Sequence, residues 1–178
     1  MSLVDIGLAV STINGIVVIG TTALNWAYHE GMIPADPTVG ITRFSGKAEK
    51  RGVLTSEEAE IVFSVPWKDP RAYAANLLAC TTGLRAGEIQ ALKREDIGEK
   101  VLNVRHSWSV MDGMKTPKNG EERKAPLLPA VREKLLDLVR KNPHGETGFI
   151  FYGLHPEKPM DSNIFLEGLK EACTTLVL

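Results

Sequence analysis

Cysteine is scarce in this chain: Cys80 and Cys173 are the only two among 178 residues. No Cys-x-x-Cys pair or Cys/His cluster occurs, which argues against a structural zinc site. Both thiols fall in apolar helical segments and read as reduced, buried side chains of a cytoplasmic protein. An excess of one charge is lacking too, since 21 Lys and Arg stand against 22 Asp and Glu for a net charge of −1. That is not the footprint of a strong, nonspecific nucleic-acid binder. A long uninterrupted apolar run is also missing. The most apolar stretch, "GIVVIGTTALNWA", carries Gly20, Thr21, Thr22 and Asn25, with Asp5 and Asn14 upstream. It reads as a core helix, not a membrane span, and no positive segment marks a signal peptide. Internal repeats and low-complexity tracts are absent as well.

What is present is ordinary globular material. Hydrophobic residues make up 43% and charged residues 24% of the chain, enough for a packed core in one domain or one domain plus part of another. Charge is unevenly spread. Residues 93–141 hold 12 Lys and Arg against eight Asp and Glu, a local surplus of four. Such a patch can steer a phosphate backbone even when the total charge is near zero.

Punctuation along the chain predicts its elements. Ser11 reads as an N-cap for a helix reaching Glu30, with Gly31 as its stop and Pro34 beyond. "ADPTVGITRFSGKAEKRG" has no sustained period and reads as an exposed linker, with a domain boundary near Phe44 to Gly52. Thr55 and Glu58 form a capping box that starts a second helix. Pro70 opens another, which Gly83 breaks. "LRAGEIQALKREDI" is then a short helix and a turn.

From there the period changes to two. "KVLNVRHSWSV" reads as a strand. "KNGEERKAPLLP" adds an Asn119-Gly120 turn and a second strand, giving a small antiparallel sheet. Val131, Leu135, Leu138 and Val139 recur at helical spacing. "GFIFYG" is a short apolar run, and a last helix starts at Asp161 or Ser162. The expected fold is mainly α with a small antiparallel sheet (α+β). The closing "TTLVL" has no stop signal and reads as an end inside a domain.

One stretch resists a purely structural reading. In "TTGLRAGEIQAL", Thr81 to Leu92, a helical turn of about 100° per residue puts Arg85, Glu88, Ile89 and Leu92 on one face. Ile89 and Leu92 point that face inward, and charged groups facing inward must be paired or used. Two explanations stand. One is an ordinary Arg–Glu pair along the helix, worth a few tenths of a kcal/mol. The other is an arginine held ready for an anion.

"LTSEEAE", "TTGLRAGEIQALKREDI" and "KNGEERKAPL", in that order, resemble the tyrosine recombinases of the phage integrase family. That family carries its first catalytic arginine in T-G-x-R-x-x-E, present here as Thr82-Gly83-Leu84-Arg85-Ala86-Gly87-Glu88. The likeness runs from about Ser11 to about Ala172. It implies that residues 1–44 are the C-terminal part of a helical, DNA-clamping core-binding domain and 45–52 a linker. Residues 53–178 are then the N-terminal part of a catalytic domain. In such enzymes a tyrosine hydroxyl attacks a DNA phosphodiester, leaving a 3′-phosphotyrosyl link and a free 5′-oxygen. Arg85 would hold the charge that builds on the phosphate oxygens. Glu88 would orient that guanidinium. Lys118, before the hairpin turn, would protonate the leaving oxygen, with Lys115 as its rival.

The resemblance also implies parts that cannot be placed. None of His29, His106, His144 and His155 opens a His-x-x-Arg motif. Tyr28, Tyr73 and Tyr152 lack the context of the nucleophile and read as packing or interface residues. A recombinase site without its nucleophile forms no covalent intermediate, so this chain alone is expected to be inactive. The expected partners are the backbone of double-stranded DNA and other protomers, with no membrane. No cofactor or metal is expected, because arginines take the role metals play elsewhere in phosphoryl transfer. Two further readings stay open: a DNA-binding or assembly remnant of the same fold without chemistry, and a helical protein-interaction domain.

Overall fold

The structure, a computed structural model, describes residues 6–46, 52–117 and 120–176. The chain divides into two compact units, Met1–Val53 and Leu54–Leu178.

The first unit is built on one helix, α1 (Val10–His29). Its N-cap is Ala9, with no side-chain bond, so the expected cap at Ser11 falls inside the helix. Gly31, at φ 71°, marks the stop. Polar side chains tie the following loop down. Asn14 brackets the Phe44 backbone, donating to its carbonyl at 3.0 Å and accepting from its N–H at 2.9 Å. Asp36 accepts from the Thr38 N–H at 2.8 Å and from its hydroxyl at 2.7 Å.

The expectation of a core helix is corrected here. Ile13 is the one buried residue of α1, and Ile19 is 73% exposed. A helix buries a face only where a second element lies against it, and α1 is the only helix described in its unit. By length and apolarity alone, α1 would suffice to cross a membrane.

The second unit starts as its punctuation predicts. Thr55 caps α2 (Ser56–Ser64), and the box closes in both directions: Glu58 N–H to Thr55 Oγ1 at 3.2 Å, Thr55 N–H to Glu58 Oε2 at 2.7 Å. α3 (Pro70–Thr82) has Pro70 in its first turn and Gly83 in the left-handed region at its end, φ 67°. There α4 (Ala86–Ala91) begins and leads into a 3-10 turn, Arg94–Asp96. α5 (Pro129–Arg140) and α6 (Ser162–Thr175) complete the helices among the described residues, the last capped by Asp161, which accepts from Asn163 N–H at 2.9 Å.

Among the described residues four short strands stand between α4 and α5: β1 (Val101–Val104), β2 (Ser107–Ser109), β3 (Gly113–Lys115) and β4 (Arg123–Pro126). The single strand expected over "KVLNVRHSWSV" is two, and the sheet is two separate antiparallel ladders, β1 with β4 and β2 with β3. The chain leaves the first ladder at Arg105 and folds back on itself around Gly113, φ 69°, which a pattern of alternating residues does not reveal. Asn119 of the expected turn lies outside the described residues. Gly120 donates its N–H to the Pro117 carbonyl at 2.8 Å.

One core unites these elements. Leu78, Leu102, Leu135, Ile150 and Phe151 are fully buried, joined by Ala74, Ala75, Ile89, Val104, Val131 and Met160. All four apolar positions read from α5 face it. The "GFIFYG" run passes against α4: Ile150 N–H donates to the Leu92 carbonyl at 2.9 Å, and Gln90 donates to the Met160 carbonyl at 2.8 Å. The cysteines are not in this core. Cys80 is exposed and Cys173 half-buried. Cys80 lies about 200° around α3 from buried Leu78 and so points away from it.

Candidate functional site

The residues singled out in "TTGLRAGEIQAL" meet at the start of α4, in a different arrangement from a helical stripe. Thr82 returns its hydroxyl to the Leu78 carbonyl at 2.5 Å, and Gly83 in the left-handed region turns the chain out of α3. Arg85 then adopts an extended backbone, φ −74° and ψ 151°, as the N-cap of α4. It is outside the helix. The expectation that Arg85 and Glu88 face inward together is therefore half corrected. The Glu88 side chain is 1% exposed and that of Arg85 is 57% exposed. A cap residue leaves the helical path, so 100° periodicity no longer assigns it a face.

Glu88 sits at the third position of α4, where a carboxylate can reach back to the cap. Its Oε2 accepts the Arg85 backbone N–H at 3.0 Å, and its Oε1 accepts Arg85 Nη1 at 3.2 Å. The stronger partner is a residue the sequence reading did not assign to the site. Arg123, in β4, donates Nη1 to Oε1 at 2.8 Å and Nη2 to Oε2 at 2.7 Å. Two parallel bonds from one guanidinium to one carboxylate are the tight, directional form of this pair. They hold the Glu88 carboxyl well below the usual carboxylate range, at about 2, with the Arg85 backbone N–H and guanidinium adding to the effect. Burial alone would push the other way.

Close packing fixes where this turn can sit. A side chain at Gly87 would meet Ser107 Oγ and the Trp108 carbonyl oxygen, each at 2.7 Å. Only a glycine lets the first turn of α4 lie this near to β2.

Of the two lysines considered, Lys118 lies outside the described residues. Lys115 ends β3 and forms an ion pair with Asp112 at 2.7 Å. The tyrosines of the second unit are held in packing. Tyr73 stands edge-on to Phe63 and Trp67, and Tyr152 lies under the Arg71 guanidinium at 4.9 Å. Arg71 also donates to the Tyr152 carbonyl at 2.8 Å. His144 Nε2 lies 3.0 Å from the Gly153 carbonyl, which occupies that ring in the same loop.

A second buried carboxylate repeats the device nearby. Asp96 accepts the Lys93 N–H at 2.8 Å and pairs with Arg105, Nε donating at 2.8 Å. That pair binds the 3-10 turn to the end of β1. The Glu88 site differs from it in having two guanidinium groups on one carboxylate.

The mainly helical architecture with small antiparallel ladders is that of the integrase-type catalytic domain, as comparison with solved structures bears out. Over 97% of this chain and 60% of its own, the Tn1549 transposon integrase in complex with a circular intermediate DNA superposes with a TM-score of 0.77 at 20% identity. A lambda integrase tetramer bound to a Holliday junction gives 0.70 at 21% identity, over 98% of this chain and 50% of that one. The chain belongs to the phage integrase family, whose model matches residues 53–176. A curated relative, prophage integrase IntR of Escherichia coli (strain K12), is 29% identical over 143 residues, covering 78% of this chain and 34% of its own length. The chain thus spans about a third of that relative and half to three fifths of these structures.

Proposed function

We propose that this chain acts on DNA as part of a site-specific recombinase, with Arg85 holding a backbone phosphate at the point of strand exchange. The observation that carries this reading is the state of the Arg85 guanidinium. It is more than half exposed and anchored to Glu88 through Nη1 alone. The carboxylate it touches is already bound along both oxygens by Arg123. Arg85 is thereby oriented without being neutralised, which is what stabilising charge on a phosphate requires.

In this reading residues 53–178 belong to the catalytic domain and residues 1–44 to a helical part that clamps DNA. Lys118 donates the proton to the departing 5′-oxygen, with Lys115 its less suited rival because Asp112 holds it. The tyrosine nucleophile is not among these residues, so the chain binds DNA without joining it covalently. DNA and other protomers are its partners, as in the DNA-bound and tetrameric assemblies of the similar integrases. Its place is the compartment that holds that DNA, in line with the cytoplasmic expectation.

Fluorescence anisotropy with a 30-base-pair duplex tests this. Binding should weaken steeply as salt rises, since each phosphate contact releases counterion. Flat, salt-independent anisotropy would leave the protein-interaction reading in its place. A complex that survives denaturation would show a nucleophile within the chain and overturn that part of the reading.

A further inference from the structure

We infer that Arg123 is a positioning and charge-balancing residue for the phosphate site, acting on Arg85 through the buried carboxylate of Glu88. This rests on the reading of Arg85 as a phosphate ligand.

The argument is one of charge count and connectivity. Arg85, Glu88 and Arg123 form a triad of two cations and one anion. With Arg123 in place, Glu88 can orient Arg85 while the triad keeps one net positive charge. Without Arg123, the buried carboxylate has one cation to answer it, and Arg85 becomes half of a neutral pair. A guanidinium neutralised by its own holder attracts a phosphate weakly. The geometry ranks the partners in this order. Both Arg123 bonds are shorter than the side-chain bond from Arg85, 2.8 and 2.7 Å against 3.2 Å. Glu88 is mainly compensated by Arg123 and only touched by Arg85.

Connectivity adds a second role. Arg123 opens β4, which pairs with β1 at Val104. β3, the strand before β4 in the chain, ends at Lys115. The Arg123–Glu88 bond therefore pins the start of β4 to the turn that carries Arg85.

The test uses the whole chain and a 20-base-pair duplex, with the salt dependence of affinity as the readout. Four proteins are compared: the natural chain, Arg123→Met, Glu88→Gln, and the double variant, each confirmed as folded by circular dichroism at the temperature used. Arg123→Met should reduce the slope of log affinity against log salt by about 0.9, the loss of one phosphate contact. Glu88→Gln should shift it the opposite way, because the triad gains a charge. In the double variant the net charge is restored, and the slope should return towards the natural value. A merely structural role predicts that both single variants weaken binding and that the double variant weakens it most. That pattern, or four equal slopes, would overturn the inference while leaving DNA binding intact. Absence of salt-dependent binding by the natural chain would overturn the functional reading and this inference together.

Discussion

Glu88 and Arg123 are separated by 35 positions in the chain and joined by two parallel hydrogen bonds of 2.8 and 2.7 Å. The carboxylate belongs to the first turn of α4 and the guanidinium to β4. The bond thus fastens the first turn of α4, which Arg85 caps, to the start of β4. Four expectations follow from this arrangement and its surroundings.

Removing the strand side of the bond should be costly. Arg123→Met leaves a carboxylate that is 1% exposed with only its local partners. Breaking a buried pair from one side typically costs about 3–5 kcal/mol, and partial exposure of Arg123 puts this case near the lower end. Urea denaturation should show the midpoint fall with an unchanged slope. A midpoint within error of the natural chain would mean that water replaces Arg123 freely.

Arg85 should behave in the opposite way. Its side chain is 57% exposed and its bond to Glu88 is the longest of the set. Glu88 is buried, but its charge is already answered by Arg123 and the Arg85 end is open to solvent, so this bond contributes about 0–1 kcal/mol, as surface pairs do. Arg85→Gln should leave the melting temperature almost unchanged and weaken duplex binding. Loss of stability comparable to that of Arg123→Met would reassign Arg85 to the fold.

The pH dependence has a definite sign. The Glu88 carboxyl titrates at about 2 in the folded protein against 4.5 for an unperturbed one, chiefly through Arg123. A depressed value means stability fully present above pH 4.5 and lost as pH falls towards 2. The amount at stake is on the order of 3 kcal/mol. Stability curves measured from pH 6 to pH 2 should be flatter for Glu88→Gln by about that amount. Parallel curves would show that other carboxylates carry the acid sensitivity.

Two glycines around the site should resist substitution for different reasons. Gly83→Ala forces a side chain into the left-handed region at φ 67°, at a cost of about 1–2 kcal/mol. Gly87→Ala meets no backbone barrier of that kind but drives a methyl group into the Trp108 carbonyl at 2.7 Å. Overpacking of this sort costs about 1–3 kcal/mol and moves α4, so duplex affinity should fall with it. A crystal structure of Gly87→Ala with Arg85 unmoved would contradict the second half of that claim.

Much of the second unit was legible in its residues because its signals are local. The Thr55–Glu58 box, Pro70 at a helix start and Gly83 at a helix end act within a few residues of themselves. The apolar positions of α5 follow a single period. Where one element turned into two, the signal failed. Alternation over "KVLNVRHSWSV" is the same whether the chain runs straight or folds back, and only Gly113 and the pairing partners separate the cases. Burial of α1 was misread because an apolar helix needs a second surface, and that surface is not a property of its own sequence. Cys80 was misread for a related reason: an apolar setting in sequence does not say which side of α3 faces the core.

The site divides along the same line. The residues alone place Arg85 and Glu88 together, three positions apart at a short helix, but the sequence pattern set both on one face of that helix and did not reveal that Arg85 is its cap. The sequence also determined the family, through the order of residues around that turn. It took the folded chain to establish that Glu88 is buried, that Arg85 is left facing outward, and that Arg123 is the main partner of Glu88. Those three facts depend on how β4 registers against β1 and how closely α4 approaches β2. Long-range pairing of this kind is set by the packing of the whole core, which no short spacing encodes.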